Sequence, residues 1–140
     1  MPALHSILLV DDDYTTNFLN KKLLLRLDVA EHVYTALNGQ EALDVLRTHC
    51  QPPTPHCPAL VFLDINMPVM NGIEFLEAYQ HLPLVQRQSR IIVMLTTSVN
   101  PRDLERLQSL PVAKFLPKPL TAEMVTQVLT DYFPASSAAR

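Results

Sequence analysis

Leu8-Leu9-Val10-Asp11-Asp12-Asp13 joins two segments that physical chemistry keeps apart, an apolar run suited to a dry interior and three adjacent carboxylates. Like charges side by side repel, and desolvating them near a core is costly unless a positive group compensates. Working outward, Ile7-Leu8-Leu9-Val10 has counterparts in Leu60-Val61-Phe62-Leu63, in Ile91-Ile92-Val93-Met94-Leu95 and, more weakly, in Val112 to Leu116. Unbroken apolarity is what strands covered on both faces require. A fifth run, His32-Val33-Tyr34-Thr35-Ala36, is more mixed and reads as an edge strand.

Segments with helical spacing lie between these runs. Met124, Val125, Val128, Leu129 and Tyr132 define one face of the last helix. Asn100-Pro101 supplies a cap and a proline at the first helical position, with Leu104 and Leu107 as the buried stripe. Phe18, Leu19 and Leu23, then Ala42, Leu43 and Leu46, then Ile73, Leu76 and Tyr79, supply three further inward faces. The order is strand then helix, repeated to the end. That order predicts an α/β fold with a parallel sheet between helices, because each parallel return needs a right-handed crossover.

Ligands of such sheets bind in the crevice outside the carboxyl ends of the strands. Here the first strand delivers Asp11 and Asp12, the third Asp64, the fourth Thr96 with Thr97, and the fifth Lys118-Pro119. Carboxylate oxygens suit a hard divalent cation such as magnesium, which keeps waters and a phosphoryl oxygen in its shell. One carboxylate left partly free can attack phosphorus, with the ammonium and hydroxyl holding the phosphoryl oxygens. Taken singly, an aspartate at a strand end is more often a helix cap. For the group, that explanation needs several unrelated coincidences. Asp13 lies outside the set and reads as a solvated residue or cap near Tyr14 and Thr15.

A chain of 140 residues with 48% hydrophobic and 18% charged content fits one globular domain. No apolar run approaches the ~20 residues needed to span a bilayer, and the start lacks a signal-type pattern, so the expected location is the cytoplasm, without membrane insertion. A net charge of −3, with Lys and Arg scattered, offers no footprint for direct nucleic-acid binding. His49, Cys50, His56 and Cys57 place four soft-metal ligands within nine residues. Adjacent His-Cys pairs do not easily both point inward, so the expectation is reduced thiols on a proline-rich loop (Pro52, Pro53, Pro55, Pro58) rather than a zinc clip.

These residues resemble the response-regulator receiver domain of two-component signalling, in its stand-alone, chemotaxis-regulator-like form, from about Ser6 to Phe133. Ile7 to Asp13 matches the acidic-pair motif, Phe62-Leu63-Asp64-Ile65-Asn66-Met67-Pro68-Val69-Met70-Asn71-Gly72 the acceptor loop, Met94-Leu95-Thr96-Thr97 the switch threonine, and Phe115-Leu116-Pro117-Lys118-Pro119 the lysine-proline motif. The resemblance implies a five-stranded parallel sheet of flavodoxin-like order 2-1-3-4-5 with five helices on both faces. Residues 1–134 are expected to form the receiver domain and 135–140 a flexible tail.

The resemblance implies roles by position. Asp64 is the phosphoacceptor. Asp12 binds Mg2+ directly, Asp11 mainly through water, and Asn66 through its main-chain carbonyl, with Asp64 completing the metal set. Thr96 and Phe115 act as the switch pair, Lys118 binds a phosphoryl oxygen, and the Lys118-Pro119 bond is cis. The phosphoryl group would come from a sensor histidine kinase or a histidine phosphotransfer protein. The output would be protein contact, including a phosphorylation-dependent dimer through the face of the fourth helix, fifth strand and fifth helix. Two residues depart from the usual pattern, Thr97 where a small residue is common, and Pro117, which lacks an amide donor.

A magnesium-dependent aspartyl phosphatase usually carries a second aspartate two residues after its nucleophile, and here that position is Asn66, so the reading is a phosphoacceptor and not a multiple-turnover enzyme. A binding-only scaffold would have lost an acidic-pair residue, the acceptor or the lysine, and all are present.

Overall fold

β1 (Leu4–Val10) is buried at six of its seven positions, as its unbroken apolar sequence requires. The computed structural model describes residues 4–50, 56–83, 90–96 and 100–134. β1 is followed by α1 (Tyr14–Arg26), β2 (Ala30–Ala36), α2 (Gly39–Cys50), β3 (Leu60–Asp64), α3 (Gly72–Tyr79), β4 (Ile91–Thr96), α4 (Pro101–Leu107), β5 (Lys114–Pro117) and α5 (Ala122–Tyr132). The strands form one sheet in the order β2-β1-β3-β4-β5, and every pair is parallel. The more mixed second strand is indeed an edge, and it begins two residues earlier than its apolar pattern suggests.

Adjacent residues of the central strands feed opposite faces, which explains why no polar residue interrupts them. Leu8, Val10, Val61, Leu63, Ile92 and Met94 pack against Leu43 and Leu46 of α2 and Phe75 and Leu76 of α3. Ile7, Leu9, Leu60, Phe62, Val93 and Leu95 pack against Leu24 of α1 and Val125, Val128 and Leu129 of α5. Burying one such aliphatic side chain stabilises the fold by about 1.5–3 kcal/mol, so these layers hold the strand ends in fixed register.

Helix starts follow the capping residues. Asp13 accepts the Thr15 amide at 3.0 Å and the Thr16 hydroxyl at 2.9 Å. Asn71 and Glu74 form a reciprocal capping box, and Asn100 caps α4 ahead of Pro101.

Three expectations need correction. Phe18 and Leu19 of α1 are exposed, and the inward positions are Asn17 and Leu24, with Leu23 partly buried. The amide of Asn17 sets this rotation by donating to the carbonyls of Asp11 (2.9 Å) and Ala36 (3.1 Å). On α4, Leu107 is buried but Leu104 faces outward. Finally, Cys50 and Cys57 form a disulfide rather than standing as reduced thiols, so they are not ligands of a zinc clip. Their Cα atoms lie 4.9 Å apart, inside the range such a bond spans. Arg90 closes over this corner, its Nε donating to the Pro58 carbonyl at 2.7 Å and its Nη1 to the Tyr79 hydroxyl at 3.0 Å.

Thr97, Pro52, Pro53, Pro55 and the 135–140 tail lie outside the described residues. Pro117 is tolerated because β5 is an edge strand. Alternate amides point to opposite sides of a strand, and the Lys118 amide reaches the Thr96 carbonyl at 3.1 Å, so the donor missing at Pro117 falls on the outer side.

Candidate functional site

The carboxyl ends of β1, β3, β4 and β5 converge on one rim. Asp11 and Asp64 are buried, at 5% and 8% exposure, whereas Asp12 faces solvent beside them. Carboxylate oxygens of Asp11, Asp12 and Asp64 all lie within 4.8 Å of one another. The Lys118 ammonium reaches between two of them, 2.7 Å from Asp11 Oδ2 and 3.3 Å from Asp64 Oδ2. One cation therefore faces three anions. The remaining carboxylate oxygens are held by the backbone, since the Asp13 amide donates to Asp11 Oδ1 at 2.9 Å and the Ile65 amide to Asp64 Oδ1 at 2.8 Å.

Burial raises the pKa of the Asp64 carboxyl above its ordinary value, the neighbouring Asp11 charge raises it further, and Lys118 only partly offsets both. Burial alone pushes the Lys118 ammonium down, but its hydrogen bond to Asp11 and the charges of Asp11 and Asp64 outweigh this and leave it raised. Both shifts record the same fact, an excess of negative charge in a partly desolvated crevice. Hard oxygen donors around unneutralised charge are the donor set a small divalent cation takes.

The acceptor loop is locked from behind. The Gly72 amide donates to the Ile65 carbonyl at 2.8 Å, and a Cβ at Gly72 would stand 2.3 Å from the Asp64 carbonyl oxygen. The Gly39 amide, at the start of α2, donates to the Met70 carbonyl at 2.7 Å, and a Cβ at Gly39 would stand 2.9 Å from that carbonyl oxygen. Val69, exposed at the loop apex, takes a positive φ of 66°. Asn66 is exposed on the same loop.

At the far side of the rim, Thr96 ends β4, half-buried, and Phe115 on β5 is 42% exposed and registered against Met94. The Lys118-Pro119 bond is cis. The fold thus brings Lys118 within hydrogen-bonding range of Asp11 and Asp64, with Asp12 completing the carboxylate cluster and Thr96 on the neighbouring strand end. Asn17 is a site residue that the sequence pattern does not reveal. It is buried and ties Asp11 to β2, and nothing in the polar start of α1, Tyr14-Thr15-Thr16-Asn17, sets it apart from its neighbours.

A parallel 2-1-3-4-5 sheet with a lysine braced between strand-end aspartates is the flavodoxin-like α/β arrangement of a receiver fold. The response regulator receiver domain matches residues 7–130. The chain is 30% identical over 129 residues to the probable chemotaxis protein CheY of Rhizobium etli, covering 92% of each, and 27% identical to the sporulation initiation phosphotransferase F of Bacillus subtilis, covering 94% of this chain and 95% of that one. A two-component response regulator from Cytophaga hutchinsonii superimposes with a TM-score of 0.80 at 26% identity, covering 94% of this chain and 98% of that one. The chain belongs to the response-regulator receiver family of two-component signalling. Members of that family interact with histidine kinases or phosphotransfer proteins. Among the described residues, no helix is long and apolar enough to cross a membrane.

Proposed function

We propose that this chain is a cytoplasmic phosphorylation switch that accepts a phosphoryl group on Asp64 from a phosphohistidine of a sensor kinase or phosphotransfer protein. The observation that carries this reading is the placement of Lys118 between Asp11 and Asp64. The same ammonium can exchange a carboxylate for a phosphoryl oxygen without leaving the crevice.

The Ile65 amide orients the Asp64 carboxylate, and one of its oxygens attacks phosphorus in line with the phosphohistidine P–N bond. The P–O bond forms as the P–N bond breaks, and the imidazole leaves with the electron pair and takes up a proton. Magnesium, when bound, supplies the dication that offsets the site's negative charge and the charge on the phosphoryl oxygens. Asp11, Asp12, Asp64 and the Asn66 carbonyl would hold it. Lys118 and the Thr96 hydroxyl supply the remaining contacts to the phosphoryl oxygens. Asn66 carries no acid group that would drive repeated turnover.

The new dianion biases a two-state element, with Thr96 drawn toward the phosphoryl group and exposed Phe115 following inward. The output face is therefore α4, β5 and α5, either toward a downstream protein or toward a second copy. On the other flank of the rim, Tyr14 and Phe18 are 75% and 51% exposed, an apolar patch suited to contact the phosphodonor. Beryllofluoride with Mg2+, followed by amide NMR, tests the switch. Shifts concentrated at Thr96, Phe115 and α5 support it, and shifts confined to the metal ligands overturn it.

A further inference from the structure

The opposite end of the sheet carries a second cluster of ligating side chains. His5 lies near the amino end of β1, His32 near the amino end of β2, and His56 in the segment leading to β3. Their rings converge, with centroids 5.5 Å apart for His5 and His32, 5.0 Å for His5 and His56, and 5.1 Å for His32 and His56. One nitrogen of each lies within 4.8 Å of the other two. Glu31 adds a carboxylate, its Oε2 3.2 Å from His5 Nε2. The Cys50–Cys57 disulfide fixes the chain next to His56.

We infer that His5, His32 and His56 form a binding site for a divalent first-row transition ion, zinc being the ion the geometry suits best. Imidazole is the nitrogen ligand that Zn2+ favours, and three imidazoles leave a fourth position for Glu31 or water. Tetrahedral coordination at about 2.0–2.1 Å sets ligand nitrogens about 3.3 Å apart. His32 and His56 are exposed and His5 half-buried, which leaves their rings room to adjust toward that spacing on binding the ion. The ligands come from two strands and a loop far apart in sequence, so the ion cross-links them and raises the stability of this edge. The donor set is nitrogen-rich and lies at the end of the sheet remote from the acidic rim. It selects a different metal from the one proposed there and does not depend on that proposal.

Isothermal titration of the full, disulfide-oxidised chain with zinc, in excess Mg2+ to occupy the acidic rim, tests the site. The inference expects one zinc equivalent that raises the melting temperature, at least a tenfold loss of affinity in His32→Ala and in His56→Ala, and no loss in His81→Ala. Circular dichroism of the exposed-site variants checks that they remain folded, and His32→Gln serves as a milder alternative. A His32→Ala or His56→Ala variant that binds zinc within twofold of the parent overturns the inference. So does a parent chain that takes up no more zinc than the triple His5→Ala, His32→Ala, His56→Ala variant.

Discussion

The Lys118 ammonium sits 2.7 Å from Asp11 Oδ2 and is the positive group that makes the buried acidic rim tolerable. Its partial burial and its second contact, to Asp64 at 3.3 Å, make this more than a surface ion pair. Lys118→Ala is expected to destabilise the metal-free fold by about 1–3 kcal/mol, because Asp11 and Asp64 then face one another uncompensated. Millimolar Mg2+ should recover part of that loss. Urea unfolding with and without Mg2+ reads both effects, and equal loss in the two conditions would show that Lys118 acts elsewhere.

The raised Asp64 carboxyl gives a pH dependence with a definite sign. Between the ordinary carboxylate value of 3.8 and its raised folded value, Asp64 holds its proton in the folded chain but not in the unfolded one. Raising the pH through that window therefore costs stability. Asp64→Asn removes the cost, so its stability gain over the parent should be absent below that window and appear as pH rises through it. For Lys118 the direction with pH is the same, but the window lies in the alkaline range. Its raised folded value gives stability that is fully present below 10.5 and lost as pH climbs through the folded value. Stability of parent and Asp64→Asn, measured from acid to alkaline pH without Mg2+, checks both windows.

Gly72 is required by space. A Cβ there would stand 2.3 Å from the Asp64 carbonyl oxygen and 3.1 Å from Ile65 Cα, both backbone atoms that cannot swing aside. Gly72→Ala is expected to lower stability by about 2–4 kcal/mol and to slow phosphoryl uptake by displacing the acceptor. Phosphorylation kinetics with acetyl phosphate separate the two effects, and an unchanged rate would mean that the acceptor loop does not depend on this contact.

The Cys50–Cys57 bond closes a loop with a sequence separation of 7. Loop-closure entropy for so short a loop amounts to about 2–3 kcal/mol. The Cys50→Ser, Cys57→Ser double variant should lose that amount relative to the oxidised parent and should show no further change on adding dithiothreitol. Thermal unfolding of the parent with and without reductant provides the comparison.

Much of this molecule is legible in the sequence because its strands are short, apolar and punctuated by polar ends. The run Leu8 to Val10 and its counterparts fix the parallel sheet, and topology alone carries Asp11, Asp12, Asp64 and Lys118 to one rim. The orientation of α1 is not legible, because leucines at 23, 24 and 25 satisfy more than one helical face and the deciding contacts are Asn17 to two carbonyls. Leu104 fails for a similar reason: α4 is a short helix with only Leu107 buried. The Cys50–Cys57 bond depends on the tertiary placement of Cys57 beside the end of α2, and the convergence of His5, His32 and His56 depends on strand order. Neither leaves a local pattern.

The central claim is that Asp64 forms the acyl phosphate. Borohydride reduction of the chain after reaction with a phosphohistidine donor and Mg2+, followed by peptide mass spectrometry, marks the modified carboxylate directly. The account predicts a single reduced site at Asp64, dependent on Mg2+ and absent from Asp64→Asn. A label at Asp11, Asp12 or any other residue, or undiminished phosphorylation of Asp64→Asn, would contradict it.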